Sequence, residues 1–335
     1  MKILFIGPKF GNSYLLFKAF KKKYQNIEML DTKNILPYPK ISIKIFYHIS
    51  PYIFEKYINN KILNKIKKKY DLIFIKSGEI IGKKLILKLK KISKKIVFFC
   101  NDNPFVKRDK NRWKLFFASA KYYDVIAYQD LSRIKLAKKF RLKNSLLVIP
   151  PYDSEIHKKH KITLKDKVKH KNQVIFIGTW FPDRGFFFKR LIDQDIPIKI
   201  YGSRWDKDPQ YEKIKSHISL GHIYEKNYSK LIQSSKIAIC LFSKQNMDTI
   251  TARSIEIPAI GTLLCSYKTK AMTSIYKENS EAIFFSDVDE CITKCKFYLK
   301  NESLANKVAK KGKIKITKKM KVSSSDLIKN ILDRI

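Results

Sequence analysis

Asp248 and Glu256 lie eight positions apart in the stretch Met247-Asp248-Thr249-Ile250-Thr251-Ala252-Arg253-Ser254-Ile255-Glu256-Ile257-Pro258-Ala259-Ile260-Gly261. Eight positions are a little over two helical turns, so a short helix would hold both carboxylates on one side. Apolar runs flank the stretch, Ile237 to Phe242 before it and Thr262 to Cys265 after it, and both read as buried parallel strands. A helix opening at the carboxyl end of such a strand offers unpaired N–H groups to an anion such as a diphosphate. Thr249 or Thr251 would cap it, Asp248 would sit near its positive end, and Gly261 would end it. Glu256, an acceptor-only group, suits a vicinal diol such as a ribose. The competing reading is a solvated helix between two strands.

The elements that must position these residues alternate strand and helix. Residues 2–7 form a strand that runs through Gly7-Pro8-Lys9-Phe10-Gly11 into a helix near 12–23, the opening of a Rossmann-like unit without the full dinucleotide fingerprint. Further strands are expected at 27–30, 70–76, 95–100, 125–128 and 145–149. Helices are expected at 53–69, 82–93 and 131–140, with 34–50 irregular because Pro37 and Pro39 break the period. Glu79 and Asp102 follow strand ends, where open α/β sheets place ligands, and each could equally be an N-cap. Residues 153–172 are polar and basic and read as a linker; His157, His160 and His170 within them are irregularly spaced and form no metal set. From 173 the pattern restarts, with Gly178-Thr179 and Gly202 at strand ends. The expected organisation is α/β, two Rossmann-like domains facing a cleft: 1–155, a linker at 156–171, and 172–335, the last helix at 323–334 able to pack back on the first domain.

The formal charge of +42 invites a nucleic-acid reading, but the excess is lysine spread from end to end, with no recognisable nucleic-acid module beside it. Nucleic acid is therefore an unfavoured partner. Basic amphipathic segments at 16–23 and 58–69 are candidates for peripheral contact with an anionic membrane, with solvated helix faces the alternative. The five cysteines show no metal-ligand pattern and read as reduced thiols. The N-terminal apolar run is too short for a signal peptide and no run is long enough to span a membrane, so a cytoplasmic location is expected.

The second half resembles the glycosyltransferase-like domain of the CgeB/YkvP spore-protein family, and more distantly the group 1 nucleotide-sugar glycosyltransferases of GT-B fold. The resemblance runs over about 173–312: Phe176-Ile177-Gly178-Thr179-Trp180 with Arg184, Ile200-Tyr201-Gly202 with Trp205, Gly221 with Tyr228 and Leu231, the stretch from Asp248 to Gly261, and Ser280 to Phe285. It is fainter in the first half, through Asp71-Leu72-Ile73, Lys76-Ser77-Gly78 and Asn101-Asp102. It implies transfer of a sugar from a nucleotide-diphosphate donor to a glycan or lipid-linked acceptor, with no metal and no further cofactor. Group 1 enzymes carry two glutamates with seven residues between them, the later binding ribose and the earlier near the donor sugar. Asp248 and Glu256 occupy that spacing, the first as an aspartate. Arg184 stands where the pattern puts a diphosphate-binding arginine, able to stabilise charge on the leaving diphosphate. Gly178, Thr179, Gly202, Thr251, Ala252 and Arg253 complete the implied nucleotide site. Should the transfer invert configuration it needs a general base, for which Asp102 or Glu79 is the candidate. Rival readings are a noncatalytic nucleotide-sugar-binding or surface-layer protein and a charge-driven nucleic-acid binder.

Overall fold

The computed structural model describes residues 1–164 and 173–335. The chain divides into two compact units, one of Met1–Ile149, Lys244–Asp248 and Ser324–Ile335, the other of Pro150–Ser243 and Thr249–Ser323. Each is built on a six-stranded, all-parallel sheet with helices around it. In the first the order is β2-β1-β3-β4-β5-β6, with β1 Ile3–Gly7, β2 Ile27–Asp31, β3 Tyr70–Ile75, β4 Ser93–Cys100, β5 Val125–Tyr128 and β6 Ser145–Leu147. In the second it is β12-β11-β10-β7-β8-β9, with β7 Val174–Ile177, β8 Ile198–Gly202, β9 Ile218–Leu220, β10 Ile237–Cys240, β11 Leu263–Tyr267 and β12 Ile283–Phe285. Many strands are continuous apolar runs because both their faces are covered: β1, β5, β7 and β10, and even the edge strand β12, are buried along their length. The order of strands reverses between β1 and β3 in the first sheet and between β7 and β10 in the second, the places where open sheets take ligands. These are two Rossmann-like units, the α/β class expected.

Three stretches differ from expectation. Residues expected to be irregular hold the helix Pro39–His48; Pro39 sits in its first turn, where a missing N–H costs nothing. The helix expected over 53–69 is a 3₁₀ turn, Pro51–Phe54, followed by an α-helix that stops at Leu63. The start of the stretch read as a linker is packed. Ile156 and His157 are buried, Ser229 Oγ donates to the Ile156 carbonyl at 2.6 Å, and Gln233 exchanges hydrogen bonds with both backbone groups of His160. The rest of that stretch from Lys165 to Asn172, His170 included, lies outside the described residues. The final helix, Ser324–Leu332, buries Leu327, Ile328 and Ile331 against the helix Gly11–Lys23 in the first core.

Candidate functional site

In the second unit two loops meet beside the strand reversal. Gly178 follows β7 and Gly202 ends β8, and neither position has room for a side chain. A Cβ on Gly202, whose φ is 156°, would lie 2.0 Å from the Gly178 carbonyl oxygen; one on Gly178 would strike the Phe176 ring at 2.6 Å. The loops are laced together: Gly178 N–H donates to Tyr201 O, Trp180 N–H to Ser203 O, and Trp205 Nε1 to Gly178 O at 2.9 Å. Thr179 Oγ1 lies 3.4 Å from Ser203 Oγ. Arg184 is the first residue of the helix Arg184–Asp193 and is buried. Its Nη1 donates to the Thr179 carbonyl, and its guanidinium lies 5.2 Å from the Phe176 ring and 4.6 Å from the Phe181 ring.

Across the reversal, β10 leads to the helix Arg253–Ile260, ended by Gly261 at φ 101° as expected. Its start corrects the sequence reading. Ala252 occupies the N-cap position without a side-chain cap, so neither threonine caps it. Thr251 instead offers its carbonyl to Ser254 N and Oγ, and the Thr249 carbonyl accepts from Thr269 Oγ1. Arg253 carries a buried Nε with no hydrogen-bond partner among the described residues. Burial pushes the Cys240 thiol, at the end of β10, up to about 11, and the charges of Arg253 and Arg184 act on it in the opposite sense.

Glu256 is buried one turn into that helix. Its Oε2 accepts from the Tyr228 hydroxyl at 2.9 Å, and its Oε1 lies 3.8 Å from His157 Nε2. The Asp153 N–H donates to His157 Nδ1, so in the neutral ring Nε2 carries the proton and faces the carboxylate. His157, which its spacing alone left without a role, therefore has a carboxylate beside it. Burial and the Glu256 charge hold the Tyr228 hydroxyl well above its ordinary value, keeping it a donor.

Asp248 does not share that helix, which begins five residues later. It belongs to the first unit, where Arg133 Nη2 donates to its Oδ1 at 2.6 Å and Asn246 Nδ2 at 2.5 Å. Burial holds its carboxyl above the usual range against the pull of Arg133. Arg133 is only 2% exposed and also donates to the Asn101 carbonyl. Glu79 and Asp102, the candidate bases, are brought together by Arg112, whose Nη1 donates to Asp102 at 2.9 Å and whose Nη2 lies 3.5 Å from Glu79. Asp109 completes the cluster through Arg112 and Arg108. Neither candidate is an N-cap, and both are acceptors already engaged by a cation.

One residue escaped the sequence reading as a site candidate. Lys76, just past β3, donates to Asn101 Oδ1 at 2.5 Å and lies 3.9 Å from the Phe99 ring. Burial lowers its ammonium to about 7, despite the opposing influence of Cys100, Asp102 and Glu79. A lysine closing an otherwise apolar strand was the available signal. In the second core, Cys265 joins Cys291 and Cys295: their sulfurs lie within 4.8 Å of one another, a group the sequence spacing did not disclose. All three are fully buried among apolar side chains, where they pack as small hydrophobes.

The glycosyl transferase-like family model matches residues 184–325, the part of the chain that holds Arg184, Arg253 and Glu256. No curated protein sequence matches the chain. Among solved structures, HepE from Anabaena in complex with UDP is similar over 100% of both chains, at 11% identity and a TM-score of 0.70. Sucrose-phosphate synthase from Thermosynechococcus elongatus is similar over 100% of this chain and 99% of its own, at 9% identity and a TM-score of 0.65. A UDP-forming α,α-trehalose-phosphate synthase from Burkholderia xenovorans in complex with glucose-6-phosphate is similar over 99% of each chain, at 8% identity and a TM-score of 0.66. At these identities the likeness speaks to the fold, two Rossmann-like domains of the GT-B class.

Proposed function

We propose that this protein is a metal-independent glycosyltransferase that moves a sugar from a nucleoside-diphosphate donor to a glycan or lipid-linked acceptor, and that it is of the CgeB/YkvP type. The observation that carries the reading is the pairing of Arg253, whose buried Nε has no partner, with the buried carboxylate of Glu256 three residues on. A buried guanidinium nitrogen without an acceptor is costly unless a ligand supplies one, and a diphosphate supplies several. Glu256 keeps Oε1 for a ribose hydroxyl while Oε2 holds Tyr228. Arg184 and Arg253 together place positive charge where a diphosphate leaving group would gain negative charge, which is the work a metal ion does elsewhere. HepE, the similar structure above, was captured with UDP.

Asp248 is not assigned a donor-sugar contact, because Arg133 and Asn246 already occupy Oδ1. Glu79 and Asp102 are kept as acceptor-side groups. With Arg112 on both, their role is to orient an acceptor hydroxyl more than to remove its proton. Calorimetric titration of UDP, GDP and a short DNA duplex tests the reading. Saturable binding of a nucleoside diphosphate, retained at physiological salt, supports it. Salt-sensitive duplex binding without nucleotide binding overturns it. Turnover of the bound nucleotide's sugar donor separates a transferase from a protein that only binds.

A further inference from the structure

The basic segments 16–23 and 58–69 present lysine and turn their apolar side chains inward. Leu16, Ala19 and Phe20 face the first core, Ile58 and Ile62 are fully buried, and Leu63 and Ile66 pack against the same interior. The exposed apolar residues lie between them. Tyr38 is 82% exposed, Ile41 64%, Ile49 62% and Ile53 59%, with Tyr52 beside them. The helix Pro39–His48 turns Ser42 and Phe46 inward and leaves Ile41 and Ile43 exposed, with exposed Ile49 just past its end. Single exposed hydrophobes are ordinary, but a run of large ones within one short segment marks a contact surface.

Charge names the partner. From Thr32 to Phe54 the chain has no acidic residue, while Lys33, Lys40 and Lys44 interleave with the isoleucines. Lys40 and Lys44 are exposed. A second copy of a chain with net charge +42 would oppose this face with like charge. A nucleic-acid duplex offers phosphates but no apolar medium for isoleucine. We propose that this face, Tyr38 to Ile53, docks on an anionic lipid bilayer, isoleucines entering the acyl boundary and lysines and tyrosines resting at the headgroups. No helix among the described residues is long and apolar enough to cross a membrane, so the contact is peripheral. The inference stands on this surface and does not depend on the proposed activity.

The test is co-sedimentation of the full chain with phosphatidylcholine vesicles, with and without about one-third phosphatidylglycerol. Binding is expected to the anionic vesicles only and to weaken as salt rises. Ile41→Glu/Ile49→Glu should lower the partition coefficient roughly tenfold or more, whereas Lys22→Glu/Lys67→Glu, on the two basic segments, should lower it much less. Thermal unfolding and far-UV circular dichroism of each variant exclude misfolding as the cause. No binding to anionic vesicles, or equal loss in both variants, overturns the proposal. So does sedimentation velocity showing a dimer that the isoleucine variant dissociates, since the face would then be covered by a second copy.

Discussion

Glu256→Gln separates the two jobs assigned to this carboxylate. Its Oε2 accepts from a Tyr228 hydroxyl that is itself buried, so one partner is internal and fixed. Gln keeps the shape and can turn its amide oxygen to Tyr228, leaving an NH₂ donor where Oε1 stood. A ribose hydroxyl that donated to the carboxylate then meets a donor. The loss of one charge-assisted hydrogen bond is worth about 1.5–3 kcal/mol, or roughly a 10- to 100-fold weaker Kd for UDP. Stability should change little. Glu256→Leu is the comparison: it strands the Tyr228 hydroxyl and should cost about 1–3 kcal/mol in urea unfolding as well as the affinity. Calorimetry with UDP and urea denaturation read the two quantities separately. Unchanged UDP affinity in Glu256→Gln, with Glu256→Leu destabilised, would leave this residue a core acceptor and remove it from the nucleotide site.

Arg253→Lys removes the unpartnered Nε while keeping the charge; UDP should bind about tenfold more weakly and uridine unchanged, measured by the ratio of the two affinities. Gly202→Ala places a Cβ against the Gly178 carbonyl oxygen at a φ of 156°, and should cost about 1–3 kcal/mol by urea unfolding. Lys76 gives a pH signature. Its ammonium titrates near 7 when folded and near its ordinary 10.5 when unfolded. Between those values the unfolded chain binds more protons, so the penalty for burying the charge is full below 7 and disappears as pH rises toward 10.5. Lys76→Met should therefore exceed the wild type in stability at pH 6, by at most about 5 kcal/mol, and the gap should narrow by pH 9.5.

Most strands were legible because each is an apolar run bounded by glycine, proline or polar residues, as in Tyr70–Ile75 and Val174–Ile177. The helix Pro39–His48 was not, since a proline counts as a breaker until its place in the first turn is known. Glu256 was a candidate from type and spacing, and Arg184, Gly178 and Gly202 from the family resemblance, but their partners were not legible. Tyr228 lies 28 positions from Glu256, and His157 lies in a stretch too polar to read as packed. Arg112 joins Asp102 and Asp109 of its own connection after β4 to Glu79 after β3, and that last, long-range contact no local pattern encodes. Exposure was hidden as well: Ile41 and Ile62 are the same residue type in similarly basic segments, and only the fold turns one outward and the other in.

Asp248 shows where a spacing argument fails. Eight positions from Glu256 suggested one helix face, but the backbone turns at Met247, whose φ is 52°, and Asp248 stays with the first unit while Thr249 enters the second. Arg133 is then the residue that depends on it, being only 2% exposed with an Nε that already lacks a partner. Removing the carboxylate leaves a buried guanidinium unpaired, so Asp248→Leu should cost about 3–5 kcal/mol, and the double change Arg133→Met/Asp248→Leu should recover most of it. The double variant also decides whether Asp248 touches the donor sugar. With stability restored, turnover near the wild-type value means that the aspartate only ties Lys244–Asp248 to Arg133. A large fall in kcat with UDP affinity intact would show instead that the group 1 role survives here, and that the Arg133 pair is broken when the donor sugar binds.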